Sequence, residues 1–208
     1  MFEVVWAVAD KQTMINLRHT NGTITNRQRF TLVFPRSCGI HTPVNGTVEN
    51  NKLNTIAIQS LSGSNAHTPI FYSPAIGAFT WTSLDFSPQK ANEASSITIQ
   101  IVASMILVEG DEIVVRLPDF QGPSCSVALD SSPSVVRSGS WNLTTGEVAF
   151  HLAKRVNASQ LIVITFPNTA TCAIKIPAGG ISALREEQRH FVISSNAKNG
   201  PVLKSPPE

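Results

Sequence analysis

The chain has 208 residues, of which 42% are hydrophobic and 14% are charged, and its formal net charge is +2. This composition excludes a disordered chain and a membrane-spanning one. The charge is low and mixed, without a run of Lys or Arg, so neither nucleic acid nor an anionic membrane surface is expected as a partner. The longest mostly apolar run, at 97–108, is too short and too polar to span a bilayer, so insertion into a membrane is not expected.

The elements predicted along the chain are almost all β-strands. Short apolar segments and alternation with a period of two residues predict strands at 30–34, 55–59, 97–101, 113–117, 148–152, 161–166 and 190–194. Turn-forming clusters separate these segments, so their spacing favours a sandwich or a barrel. The one segment with helical character is 182–190.

An internal repeat is indicated by two similar stretches, FPRSCGIHTP at 34–43 and FPNTATCAIKIP at 166–177. Further landmarks recur at separations of 132 to 135 residues: Trp6 with Trp141, Pro35 with Pro167, Cys38 with Cys172 and Ser73 with Ser205. One repeat of about 130 residues has the usual size of a domain. The sequence therefore predicts a complete repeat at 76–206 and, at 1–75, the second half of another repeat.

The cysteines follow the same pattern. Cys125 and Cys172 each come after a strand that ends in Pro, which would place them at similar heights on neighbouring strands or facing sheets. A disulfide can form there, and two free buried thiols are the alternative. Cys38 corresponds to Cys172, and the counterpart of Cys125 would fall before residue 1. Cys38 is therefore predicted to be unpaired within this chain.

The order Cys125, Trp141, Cys172 resembles the Cys, Trp, Cys pattern of immunoglobulin-like sandwiches. The sequence departs from that pattern in the short cysteine separation and in Ala170, which stands where a Tyr is expected. The resemblance implies an all-β fold, an immunoglobulin-like antiparallel β-sandwich with one full repeat and one half repeat. Trp6 and Trp141 recur in register, so they are predicted to lie in cores, with sugar stacking as the alternative.

Four Asn-x-Ser/Thr triplets predict N-glycosylation if the chain passes through a eukaryotic secretory pathway. They are centred on Asn21, Asn45, Asn142 and Asn157. Asn21 and Asn157 both precede the repeated strand that ends in Phe-Pro. Ordinary turn asparagines are the alternative interpretation.

The sequence contains no motif typical of catalysis. The five His are scattered without metal-ligand spacing, and neither a nucleophile elbow nor a phosphate-binding Gly loop is found. The stretch EGDE at 109–112 could suggest calcium, but the flanking strands favour a hairpin turn. We expect no enzyme activity, no metal site and no cofactor apart from covalent N-glycans.

The stretches SSITIQI and EGDEIVVRLPDF, followed by paired cysteines and sequons, resemble repeat domains of extracellular surface and fibril proteins. Those proteins include glycan-coated filaments of algae and other microbes. The resemblance implies a structural glycoprotein outside the cell, a subunit of a filament or surface layer. Copies of the chain would join head to tail in a helical assembly.

The half repeat at 1–75 would leave an apolar face and sheet edges uncovered. We expect it to be completed by upstream sequence or by a neighbouring subunit. The alternative function, from a different class, is an adhesin or carbohydrate-binding module on a cell surface.

Overall fold

The computed structural model describes residues 2–9, 12–20, 29, 31–57, 59–60, 63–64, 66–181 and 191–205. Within these residues the regular structure consists of β-strands and one 3₁₀ turn at Arg36–Cys38. The strands are β1 (Phe2–Ala9), β2 (Gln12–His19), β3 (Thr55–Ile56), β4 (Gln59–Ser60), β5 (Gly63–Ser64), β6 (Thr68–Pro69), β7 (Phe79–Ser87), β8 (Ser96–Ala103), β9 (Glu112–Arg116), β10 (Cys125–Ala128), β11 (Asp130–Ser132), β12 (Val136–Asn142), β13 (Glu147–Leu152), β14 (Leu161–Phe166), β15 (Val192–Ser195) and β16 (Val202–Ser205).

The chain divides into two compact units, Met1–Ile40 and His41–Glu208. The first unit contains the antiparallel pair β1 and β2, in which Trp6 lies opposite Ile15. The second unit contains all the remaining strands, and it begins at His41 rather than at the predicted repeat boundary of 75/76.

Two antiparallel sheets contain the strands β7 to β16 of the second unit. One has six strands in the order β10-β12-β13-β9-β15-β16, and the other has four in the order β11-β14-β8-β7. The prediction of an all-β, antiparallel fold is confirmed, and the arrangement is consistent with a β-sandwich. We call residues 76–205 the two-sheet region.

Both sheets contribute to one hydrophobic core. The alternation predicted for 97–101 appears in β8, where buried and half-buried side chains alternate over the whole strand. The largest fully buried side chains are Trp141, Phe150 and Phe166, from β12, β13 and β14. Burying each of them contributes about 1.5–3 kcal/mol. Every buried side chain in the described part of the chain lies between Ala78 and Val202, and the partly buried Ala75 packs against this core.

Most predicted strands are present, but one prediction was wrong. The segments predicted at 97–101, 113–117, 148–152, 161–166 and 190–194 correspond to β8, β9, β13, β14 and β15. Residues 31–34 are not in a strand, because no described segment forms a ladder with them. The predicted helical segment 182–190 lies outside the described residues.

Residues 47–76 form a long two-stranded hairpin that we call the hairpin arm. At its base Thr47 and Ile76 exchange two backbone hydrogen bonds of 2.9 Å. Further out, β3 pairs with β6 and β4 pairs with β5. The arm returns the chain to Ile76, three residues before β7 begins.

The two-sheet region has two ends, defined by the direction of β7. The first pole contains the start of β7, the end of β8 and the start of β9, because Phe79 lies opposite Ala103. The second pole contains the end of β7, where Ser87 lies opposite Ser96. β16 begins beside Ser195 and ends beside Ile193, and Ser195 pairs with the first-pole half of β9. The chain therefore starts the region at the first pole and runs towards the second pole in its last strand.

Candidate functional site

The disulfide and Trp141 form one unit at the second pole. Cys125 and Cys172 are bonded with their Cα atoms 5.5 Å apart, so the predicted bridge is confirmed. Cys125 begins β10, directly opposite Trp141 of β12. Trp141 is 1% exposed, and its indole N–H donates a 3.2 Å hydrogen bond to the carbonyl of Gly122. The disulfide therefore links the start of β10 covalently to the segment that follows β14.

The counterparts of these residues in the half repeat are described only in part. Cys38 is a free thiol at an exposed position in the 3₁₀ turn. This agrees with the prediction that Cys38 is unpaired within this chain. Trp6 lies in β1, and the prediction that its side chain is in a core falls outside what the structure describes.

Three of the four sequons lie in described segments, and all three asparagines are exposed. Asn142 ends β12 at the second pole, where its side-chain oxygen accepts the backbone N–H of Thr144 at 2.9 Å. Asn157 lies at the first pole, one residue after a bridge that joins Val156 to Leu107. Asn45 lies in a turn described below, and Asn21 lies outside the described residues.

The EGDE stretch is a turn held by a buried carboxylate. Asp111 is 1% exposed, and its two oxygens accept the backbone N–H groups of Val108 at 2.8 Å and Lys198 at 3.3 Å. Gly110 has a φ of +85°, which suits a tight turn. Asp111 therefore joins the β8–β9 connection to the β15–β16 connection at the first pole.

No group of three or more His, Cys, Asp or Glu side chains that could hold a metal occurs among the described residues. Within the same residues, no helix has both the length and the apolarity that crossing a membrane requires.

Two turns of the same geometry occur at the matched positions of the repeat. Gly46 donates its backbone N–H to the carbonyl of Pro43 at 3.0 Å, and Gly180 donates to Pro177 at 2.8 Å. The two glycines have φ values of +64° and +69°. Glycine adopts this left-handed conformation without steric cost. The sequence interval that relates Cys38 to Cys172 also relates these turns, and the structure places them in the same local conformation.

The first of these turns, Pro43–Gly46, packs against the first pole. A Cβ atom on Gly46 would lie 2.6 Å from the side-chain oxygen of Ser104 and closer still to the carbonyl oxygen of Ile76. Real Cβ atoms do not approach other atoms so closely, so only glycine fits. The next residue, Thr47, forms the two-bond bridge with Ile76.

The surface that receives this turn is fixed by Ser104. Its hydroxyl accepts the backbone N–H of Ala78 at 2.9 Å and donates to the carbonyl of Ile76 at 3.3 Å. Ser104 is 6% exposed. We call Ile76, Ala78 and Ser104 the acceptor surface.

The second turn, Pro177–Gly180, is at the opposite pole and is open. Residue Ile176 just before it exchanges backbone hydrogen bonds with the segment between β7 and β8, at Asn92 and Glu93. A Cβ atom on Gly180 would meet no atom within 4 Å. Ala178 and Gly179 are exposed, and the following Ile181 is 40% exposed.

Apolar side chains are unusually exposed along the turn and the hairpin arm. Phe71 is 99% exposed, Val44 89%, Leu53 86% and Tyr72 65%. Clusters of exposed large apolar side chains are characteristic of interaction surfaces. By contrast, the second hairpin of the repeat, β15–β16, is joined to the six-stranded sheet through β9.

An open cleft of about 340 Å³ lies beside the edge strand β7. Its walls include Val44 of the first turn, Trp81 of β7 and Val202 of β16. The indole of Trp81 is 47% exposed. An exposed aromatic ring in a cleft with Thr80 and Thr82 could stack on a sugar.

No protein-family model matches the chain, no curated protein matches its sequence, and no solved structure matches its fold.

Sequence reasoning missed two features of the candidate site, the paired turns and the buried carboxylate of Asp111. The paired turns could have been found from the Pro-x-x-Gly spacing in TPVNG and IPAGG, which recurs at the repeat interval. The burial of Asp111 had no such signal, because EGDE at a turn is usually solvated.

Proposed function

We propose that this chain is a structural subunit of an extracellular filament or surface layer. Its domains are joined head to tail, and it carries N-glycans. The observation that carries the proposal is the exposure of Phe71, Leu53 and Tyr72 on the hairpin arm. When another domain covers such side chains, the free energy falls by about 25 cal/mol per Å² of apolar surface removed from water.

We attribute the uncovered surface to an incomplete repeat. In the two-sheet region, β15 pairs with β9 and is thereby incorporated into a six-stranded sheet. The corresponding strands of the arm, β3 and β4, pair only with β6 and β5 within the described residues. A neighbouring domain or upstream sequence would supply the missing strands, and a complete interface would bury at least 2,000 Å² in total.

The strand order supports an immunoglobulin-like assignment for the two-sheet region. The sheet β7-β8-β14-β11 has the order of strands A, B, E and D, and β9-β15-β16 has the order of C, F and G. The remaining strands β10, β12 and β13 extend the second sheet. The disulfide departs from the family pattern because it joins β10 to the segment after β14 instead of joining the two sheets between B and F.

The exposed sequon asparagines support the extracellular part of the proposal. Asn142 and Asn157 lie at opposite poles, so each end of the region offers one exposed attachment point for a glycan. The disulfide fits the same compartment, since disulfides persist in oxidising environments.

An adhesin or carbohydrate-binding module is the second candidate, and Trp81 in its cleft is the observation that favours it. Imaging and binding assays on matched variants separate the two functions. The filament proposal expects regular fibres in negative-stain images of the native protein, and it expects Phe71→Ser to disrupt them. Trp81→Ala serves as the control and should leave the fibres intact.

The adhesin candidate expects the reverse result on a glycan array. Binding should be lost in Trp81→Ala and kept in Phe71→Ser. Dispersed monomers in native material together with glycan binding that depends on Trp81 would replace the filament proposal with the adhesin.

A further inference from the structure

The two matched turns lie at opposite poles, and among the described residues only the Gly of the first turn comes into close contact with another part of the chain. Pro43–Gly46 is seated on the acceptor surface at the first pole. At the second pole Pro177 is buried, but Ala178 and Gly179 are exposed, and a Cβ atom on Gly180 would meet no atom within 4 Å. The half repeat ends in the seated turn and its arm, and the complete repeat ends in the open turn and β15–β16. The seated turn therefore shows how the second half of one repeat meets the start of the next.

We propose that the open turn Pro177–Gly180 is a docking element that binds the acceptor surface of a following domain of the same kind, one that follows directly in a tandem array and has no turn of its own at its first pole. The contact would repeat the seated one: Ile181, in the position of Thr47, would exchange two backbone hydrogen bonds with Ile76 of the next copy. This proposal deepens the filament function and rests on it, because it names the contact between successive domains.

The proposed contact is made mainly by backbone groups, so it does not depend on side-chain identity at most positions. The seated turn is held by the backbone groups of Thr47 and Ile76 and by the close approach of Gly46. The open turn keeps the two residues that this geometry needs, the Pro and the Gly, while Val44 and Asn45 are replaced by Ala178 and Gly179.

The placement of the two surfaces also fixes the symmetry of the contact. The donor turn and the acceptor surface are different patches at opposite ends of one region, so the contact is head-to-tail and does not close on itself as a twofold dimer does. Repetition of such a contact produces an open chain of domains.

The acceptor surface of this chain is already filled by its own turn, so the test supplies a second one. A tandem protein is made in which residues 1–206 are followed directly by residues 75–208 of a second copy. This junction reproduces the Ser73-Pro74-Ala75 connection, since Ser205-Pro206 is its counterpart. The second copy contains every residue of the buried core, and it lacks a turn of its own at the first pole.

Amide hydrogen exchange at Ile181 of the first copy is the measurement. In the tandem it should be at least about tenfold slower than in the single chain, because the new backbone bond must open before exchange occurs. Gly180→Ala in the tandem should restore the single-chain rate. In the single chain the same substitution should leave the fold intact, because its Cβ meets open space.

Equal exchange rates at Ile181 in the tandem and the single chain would overturn the proposal. Slow exchange that persists in the Gly180→Ala tandem would overturn it too, because the protection would then come from another contact. The filament function is tested separately by imaging. Protection of Ile181 in the tandem without native fibres would overturn the filament proposal and support the contact. Native fibres without protection of Ile181 would support the filament proposal and overturn the contact.

Discussion

The same sequence pattern has two different structures in two regions of this chain. In the two-sheet region, the stretch that ends in Phe-Pro is β14, and its Ile164 and Phe166 are fully buried. The residues at the matched sequence positions in the first unit, Leu32 and Phe34, are half-buried and lie outside any strand. β14 has β8 and β11 on its two sides, and this difference accounts for the contrast. An apolar alternating stretch supplies the capacity to form a strand, and a neighbour to pair with decides whether it does.

The largest expected effect is on the stability of the core of the two-sheet region. Phe166→Ala should lower the free energy of unfolding of the two-sheet region by about 3–5 kcal/mol, because it removes a fully buried aromatic ring. Phe34→Ala is the matched control and should change it by about 1 kcal/mol or less. Denaturant unfolding followed by Trp fluorescence measures both. Equal losses would contradict the contrast between the two regions.

A smaller effect is expected at the cysteines. Cys172→Ala should cost about 2–4 kcal/mol, because it removes a crosslink that constrains the unfolded chain. Cys38→Ala, at the matched position of the half repeat, should be close to neutral because its thiol is exposed and free. Thermal melting of the two variants tests this pair, and a large destabilisation by Cys38→Ala would show that the half repeat already has a core partner.

The two turns provide the next comparison. Alanine at either glycine should cost about 1–2 kcal/mol in local strain, because both have positive φ. Gly46→Ala should in addition push the turn from the acceptor surface and speed amide exchange at Ile76 by at least about tenfold. Gly180→Ala in the single chain should leave exchange at Ile76 unchanged. If the two variants alter Ile76 alike, the seated turn is not what protects it.

The smallest effect is expected at the sequons. In a eukaryotic secretory host, Asn142→Gln and Asn157→Gln should each lower the intact mass by one glycan. Their stabilities should stay within about 0.5 kcal/mol of the parent chain, since both side chains are exposed. An unmodified parent chain in intact-mass analysis would remove the glycoprotein part of the proposed function.

Local pattern predicted much of this fold. Alternating burial in β8 and in β14 follows directly from the period of two in the sequence, and the repeat arithmetic predicted the Cys125–Cys172 bridge. Strand order could not be predicted, because it depends on which segments meet in space. One example is the switch at Leu129, where the chain leaves the six-stranded sheet after β10 and enters the four-stranded one at β11.

The candidate site was less accessible to sequence reasoning. Exposure of Phe71 and Tyr72 depends on which segments pack against the hairpin arm, whereas sequence reasoning normally assumes that large apolar residues are buried. The role of Gly46 was hidden for a related reason. A glycine in a turn suggests a positive φ, but the close approach to Ile76 and Ser104 becomes visible only when the arm has brought Ile76 back to the turn.

The direction of the chain through the two poles determines how a string of these domains would respond to pulling. β7 begins at the first pole and β16 runs towards the second, so tension applied through the chain would act along these two edge strands. Their hydrogen bonds to β8 and β15 would then be loaded in parallel, as in shear, and would not open one at a time. The disulfide links residues that are 47 positions apart, and this enclosed segment could not lengthen even after the sheets separated. The domain would therefore act as a stiff element with a built-in limit to its extension.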